Sequence, residues 1–171
     1  MAVLTGSVAA TAAVAGSGVA WWRAGRQAAA ESGHNALWSL QLEQPDGALL
    51  QLKTLRGKPL LINFWATWCP PCLRELPEIE RWYIDHRARG WHALALAVDQ
   101  LKPVQDFLKR HPMTMPVALA GMDGTDLIHQ FGNRAGAMPF SVMLDRSGRL
   151  AWQKMGETNL QELTEQAQAI A

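Results

Sequence analysis

The chain has 171 residues, with 16 Lys and Arg against 15 Asp and Glu, and 49% of it is apolar, which suits one globular domain with a short extension. Its basic residues are scattered and form no stripe, so nucleic-acid binding is set aside. Two cysteines are too few for the several bridges that staple a small secreted domain. Eight tryptophans is a high count; all but Trp68 read as packing residues.

The first 22 residues carry no charge and are rich in Ala, Val and Gly, with Arg23 and Arg26 following. Seven of them are Gly, Ser or Thr, so a stretch long enough to span a bilayer is only mildly hydrophobic. Residues 1–30 read as a signal peptide or membrane anchor, with 2–22 as the apolar part and small-residue cleavage sites at Ala13-Val14-Ala15 and Ala28-Ala29-Ala30. The charge order runs against export, since the two Arg follow the apolar run and no basic residue precedes it. A basic leader missing ahead of Met1 would resolve this. An Ala-rich helix of a cytosolic protein is the competing reading.

A linker over residues 31–38 leads into short strands. Alternation over Trp38–Leu42 and Leu49–Leu52, around the turn Gln44-Pro45-Asp46-Gly47, predicts a hairpin. Gly57-Lys58-Pro59 breaks the chain, and Leu60–Phe64 is an apolar run of buried-strand length. A helix is predicted from Pro70 to His86 with a kink at Pro77, then a strand over His92–Val98 and a helix over Pro103–Arg110. A strand over Pro116–Ala120 and a helical turn or two over Asp126–Phe131 follow. Strands over Phe140–Leu144 and Leu150–Lys154 flank the hairpin turn Asp145-Arg146-Ser147-Gly148. Thr158 with Gln161 offers a capping box for a last helix ending at Ile170. Strands alternating with helices and closing in a hairpin imply an α/β sandwich with a mixed central sheet, a single domain over 39–171.

The chemistry centres on Cys69-Pro70-Pro71-Cys72. A bridge between these cysteines encloses almost no chain and would be a weak staple, but it suits a redox centre. A sulfur placed where a strand ends and a helix begins faces the first-turn amides and the positive end of the helix dipole, which favour thiolate. Cys72 lies one turn along on the same face. Pro70 and Pro71 fit the helix start and remove amides that would stabilise a thiolate, which favours the oxidised form and a more reducing couple.

The stretch from Gly57 to Pro77, with Phe64-Trp65-Ala66-Thr67-Trp68-Cys69-Pro70-Pro71-Cys72 at its centre, resembles the signature of TlpA-like and ResA-like thioredoxins. The likeness continues through Ala97-Val98-Asp99 and Pro139–Gly148 and covers the chain from Leu40 onward. It implies a thioredoxin fold, a three-layer sandwich with an N-terminal β-hairpin and a TlpA-type insertion between Val98 and Pro139. It also implies an exported, often membrane-anchored reductant at the periplasmic or extracytoplasmic face, in some cases serving cytochrome c maturation. Its partners would be protein thiols and disulfides and an upstream membrane electron donor. Cys69 would be the exposed attacking thiol, Cys72 the buried resolving thiol, and Pro139 a cis proline opposite the disulfide. A cis Met138-Pro139 bond would leave the Met138 backbone free to pair with an extended substrate. Trp68 would shield the sulfur and offer an apolar contact beside Pro70 and Pro71. Met138 and Phe140 depart from the small or β-branched residue and Thr that often flank this proline, so partner choice is not carried over.

Ordinary thioredoxins place a buried Asp where this chain has Asn63, which cannot titrate. Glu75 matches a glutamate that ResA-like proteins carry three residues after the second cysteine, from where it could exchange a proton with Cys72. The alternatives for Glu75 are a solvated helix position or a partner for Arg74 or Arg81. His34, His86, His92, His111 and His129 lack metal-ligand spacing. No metal and no cofactor is expected beyond the Cys69–Cys72 disulfide. Rival readings are a copper(I)-binding protein, a peroxiredoxin-like peroxidase, and a binding module that keeps its cysteines without turnover.

Overall fold

The computed structural model of the chain describes residues 37–121 and 124–170; the expected signal or anchor over 1–30 and most of the linker, His34 included, lie outside the described residues. Strands β1 (Gln41–Glu43) and β2 (Leu49–Gln51) form the predicted hairpin as a separate two-stranded antiparallel sheet. Asp46 Oδ1 accepts the Ala48 amide at 3.0 Å and shapes its turn. Both strands are shorter than the alternation suggested. Residues 38–40 form a turn closed by Leu40 N–H to the Leu37 carbonyl, and Leu52 opens a 3-10 turn, Leu52–Leu55. The alternation there records burial, with Leu37, Trp38 and Leu52 in the core, rather than strand pairing. The core thus begins just before the expected boundary at Ser39.

The main sheet has five strands: β3 (Leu60–Trp65), β4 (His92–Ala97), β5 (Val117–Leu119), β6 (Phe140–Leu144) and β7 (Leu150–Met155), in the order β5-β4-β3-β6-β7. The pairs β3–β4 and β4–β5 are parallel, and β3–β6 and β6–β7 antiparallel. All six residues of β3 are buried, which explains its unbroken apolar run, since a central strand is covered on both faces. Helices α1 (Pro70–His86), α2 (Leu101–Arg110), α3 (Gly124–Gln130) and α4 (Leu160–Ile170) complete the described chain. Pro77 lies inside α1, which continues past it to His86.

Two apolar clusters separated by the sheet make three layers. One joins Leu61 and Trp65 to Leu76, Ile79 and Trp82 of α1, Val104 and Phe107 of α2, and Leu163 and Ala167 of α4. In it the small residues of β4, Ala93, Ala95 and Ala97, leave room for the indoles, and Trp82 and Trp91 meet edge to face at 5.3 Å. The other joins Leu60, Ile62 and Phe64 to the hairpin, to Ile128 and Phe131 near α3, and to Phe140. The β6–β7 turn closes on Gly148 at φ +85°, where a side chain would also meet the Trp38 ring. The last helix is capped one residue later than predicted: Asn159 Oδ1 accepts the Glu162 amide at 2.9 Å. Thr158 has its own backbone N–H committed to Glu75 instead. Among the described residues no helix is long and apolar enough to cross a membrane.

Candidate active site

β3 delivers the chain to the site at its C-terminal end, and the loop that follows is held by the neighbouring strand. Asp99, just past β4, accepts the Thr67 N–H at 2.8 Å and the Thr67 hydroxyl at 2.6 Å through Oδ2. Its Oδ1 accepts the Gln100 N–H at 2.7 Å. Two residues after Thr67, Cys69 caps α1, with Pro70 and Pro71 at the first two helical positions.

Cys69 and Cys72 form a disulfide with an S–S distance of 2.06 Å. The Cys72 N–H points at Cys69 Sγ, 3.3 Å away, while the Leu73 N–H is used by the Cys69 carbonyl at 3.2 Å. With prolines at the two intervening positions, the Cys72 amide is the first-turn donor left to the sulfur. Cys69 is 5% exposed and Cys72 not at all. Cys69 is therefore the slightly less covered of the two, but "exposed" overstates it: neighbouring groups cover nearly all of it. Trp68, at 61% exposed, stands out beside it, so its ring faces solvent more than it covers the sulfur. Pro70 is exposed and Pro71 half-buried. The Met138-Pro139 bond is cis, and Met138, partly buried, packs on the cluster that contains both cysteines. Among the described residues no group of three or more His, Cys, Asp or Glu is placed to hold a metal ion.

Glu75 lies on α1 one turn past Cys72 and is 1% exposed, so it is neither a solvated residue nor a partner for Arg74 or Arg81. Its Oε1 accepts Asn63 Nδ2 at 2.6 Å and its Oε2 accepts the Thr158 N–H at 2.8 Å. Asn63 Nδ2 also donates to Ser141 Oγ at 3.0 Å, across the β3–β6 pair. Burial pushes the Glu75 carboxyl up to about 7, against the opposing pull of the bonds from Thr158 and Asn63. Arg74 instead turns outward to Glu157. A buried acid that titrates near neutrality, one turn from a buried sulfur, is equipped to take or return a proton there.

The sequence reading missed the Asp99 clamp, the Thr158 amide and Ser141. The spacing of Asp99 from the end of β4 carried a weak signal for the first. The other two meet Glu75 and Asn63 across 83 and 78 residues of chain, and no local pattern announces them.

The Redoxin family model matches residues 27–170. Over 126 residues the chain is 32% identical to a thiol-disulfide oxidoreductase ResA of Bacillus cereus, spanning 73% of this chain and 70% of that protein. Against ResA of Halalkalibacterium halodurans it is 30% identical over 122 residues, spanning 71% and 66%. Among solved structures it resembles a thioredoxin-related protein from Neisseria meningitidis serogroup B, with TM-score 0.68, 26% identity, and 77% of this chain and 98% of that one covered. A thioredoxin-family thiol:disulfide interchange protein from Chlorobium tepidum TLS gives 0.67, 28%, 77% and 92%. With a bonded Cys-Pro-Pro-Cys pair at the head of a helix on a thioredoxin fold, these likenesses agree, and the chain belongs to the Redoxin family as a ResA-like thiol-disulfide oxidoreductase.

Proposed function

We propose that the protein is an exported reductant of protein disulfides in which Cys69 attacks, Cys72 resolves and Glu75 carries the proton between them and solvent. The reading rests on the asymmetry of the site. Cys69 keeps a trace of exposure, whereas Cys72 has none and lies one helical turn from an acid that titrates near neutrality. In the reduced protein the Cys69 thiolate attacks a substrate disulfide, forming a mixed disulfide and expelling one substrate thiolate. Cys72 then yields its proton to the Glu75 carboxylate, and the resulting thiolate attacks Cys69 Sγ. The substrate leaves as a dithiol, and the protein is left oxidised. Two electrons pass, and the Cys69–Cys72 pair is the only redox group required.

Trp68, Pro70 and Pro71 on one side and Met138 and Pro139 on the other would line the approach to Cys69, with Met138 offering its backbone to an extended substrate segment. The paired prolines support a reducing role, because they leave the thiolate fewer amides than a helix start normally offers. A membrane electron donor upstream, an extracytoplasmic site with residues 2–22 as anchor or signal, and service in cytochrome c maturation complete the proposal.

The test uses a disulfide-bonded model peptide. Reduced Cys72→Ser is expected to accumulate a covalent peptide adduct that maps to Cys69, and Cys69→Ser to lose exchange altogether. An adduct that maps to Cys72 in the Cys69→Ser protein, with exchange retained, reverses the assignment. Peroxide consumed faster than the peptide disulfide would favour a peroxidase instead.

A further inference from the structure

Asn63 is fully buried, and its two polar atoms are treated unequally. Nδ2 donates to Glu75 Oε1 and to Ser141 Oγ, at 2.6 and 3.0 Å, while Oδ1 accepts no hydrogen bond from the described residues. A buried amide oxygen without a donor is uncommon and calls for a reason. The orientation follows from the charge of its neighbour. An ionised Glu75 has only lone pairs to offer, so an amide oxygen at the same place would face a carboxylate oxygen at hydrogen-bond distance and repel it.

A proton on Glu75 reverses that requirement. Oε2 is fixed as an acceptor by the Thr158 backbone N–H, 2.8 Å away, and a backbone amide cannot become an acceptor. The proton therefore belongs on Oε1, where it meets the N–H of Asn63 head on. Turning the carboxamide over removes the conflict. Oδ1 then accepts from Glu75, and the Ser141 hydroxyl, which can act in either sense, rotates to donate to the same oxygen. Oδ1 accepts from no described residue where it now lies, so the turnover gives up no bond at that end. The NH2 group that arrives there needs an acceptor of its own, and that cost is set against the bonds regained at Oε1 and Ser141.

We propose that Asn63 is a positioning residue whose carboxamide turns over each time Glu75 gains or loses a proton, with the Ser141 hydroxyl following it. The device keeps Oε1 hydrogen-bonded in both charge states without residue 63 taking up a proton, as an Asp there would have to do in order to donate. It deepens the proposed function, resting on the reading of Glu75 as the group that exchanges a proton with Cys72. β3 presents Asn63 to Glu75 and β6 presents Ser141 to Asn63, neither of which titrates, and Cys72 lies one turn before Glu75 on the same helix. The β7–α4 segment contributes Glu157, which raises its pKa, and Lys154, which lowers it. Its midpoint of about 7 places both states within reach of ordinary buffers.

The test is a pH titration of the full chain, oxidised, by NMR, following the Glu75 carboxyl carbon and the Asn63 side-chain NH2 together. The Asn63 amide protons are expected to lose their contacts to the Ser141 Hβ protons and to move upfield at the Glu75 midpoint. In Glu75→Gln the Thr158 N–H claims the new amide oxygen, so the Gln NH2 faces Asn63. The turned-over Asn63 pattern is then expected at every pH. An Asn63 signal that stays put while Glu75 titrates overturns the inference, as does a Glu75→Gln spectrum that keeps the Ser141 contacts. A pH–rate profile indifferent to Glu75→Gln would instead remove Glu75 from the exchange reaction, whatever Asn63 does.

Discussion

Two carboxylates meet where α1 approaches the connection between β7 and α4, and they behave in opposite ways. Arg74 pairs with Glu157, and the next residues along each segment, Glu75 and Thr158, are joined by a hydrogen bond. One step along the helix turns the side chain by about 100°, enough here to pass from water to the core. The Arg74 hydrogen bond holds the exposed Glu157 below the usual carboxylate range, while burial lifts Glu75 to about 7. What separates them is solvent: Glu157 has water and a guanidinium, whereas Glu75 has one amide on each oxygen and, among the described residues, no counter-charge in contact. A carboxyl titrates near neutrality here because its helix face is sealed, while its neighbour's face is open.

The largest expected consequence falls on the reaction. Glu75→Gln keeps the shape and removes the titration, so reduction of a disulfide-bonded peptide should slow by roughly 100-fold, in the range for loss of a general acid or base. The inflection near 7 in the pH–rate profile should disappear with it. A variant with the same rate and the same inflection would make Glu75 no more catalytic than Glu157.

The same burial sets a pH dependence of stability. The folded carboxyl keeps its proton up to about 7, whereas its ordinary value is 4.5. Between those values the folded chain binds more protons than the unfolded one, so stability falls as pH rises through that window and levels off above it. The loss attributable to Glu75 should be about 3 kcal/mol. Denaturant unfolding of the protein and of Glu75→Gln at a series of pH values checks it through the difference between them, since His92, whose pKa burial lowers, adds an opposite slope that both share. A difference of opposite sign would mean that the hydrogen bonds from Asn63 and Thr158 outweigh burial.

Most of this architecture was legible because it is written in local pattern. The apolar run of β3, the Pro-Pro helix start and the Asp145–Gly148 turn each sit in a few consecutive residues, and the elements they predicted are present within a residue or two. Glu75 could be suspected from the resemblance to ResA-like proteins, which carry a glutamate three residues after the second cysteine. Its partners could not. Ser141 comes from a strand that reaches Asn63 through antiparallel pairing, and Thr158 contributes a backbone group, which carries no residue signature. Capping was misplaced by one residue for the same reason, since Thr158 looks like a cap until its amide is claimed by Glu75. Asp99 belongs with these. Its carboxyl ties down the loop two residues ahead of Cys69, and Asp99→Ala would leave the partly buried Thr67 amide without that acceptor. A loss of about 1–3 kcal/mol in denaturant unfolding is expected, with Asp99→Asn costing less because one acceptor oxygen survives. Equal losses for the two would show that something other than the acceptor matters.

The smallest effect tests the contrast most directly, because it moves Glu75 without touching it. Glu157 raises the Glu75 pKa and Lys154 lowers it, both through space and both secondary to burial. Glu157→Gln should therefore lower the Glu75 midpoint, and Lys154→Met should raise it, each by less than about one pH unit, since the charges reach it through a solvated margin. Following the Glu75 carboxyl carbon by NMR at low and at high salt separates the causes. The two charge effects should shrink as salt rises, whereas the elevation due to burial should stay, because no counter-ion can follow the carboxylate into the core. If Glu157→Gln alone returned Glu75 to the ordinary carboxylate value, the contrast between the two acids would be one of mutual repulsion. The sealed helix face would then have little to do with it.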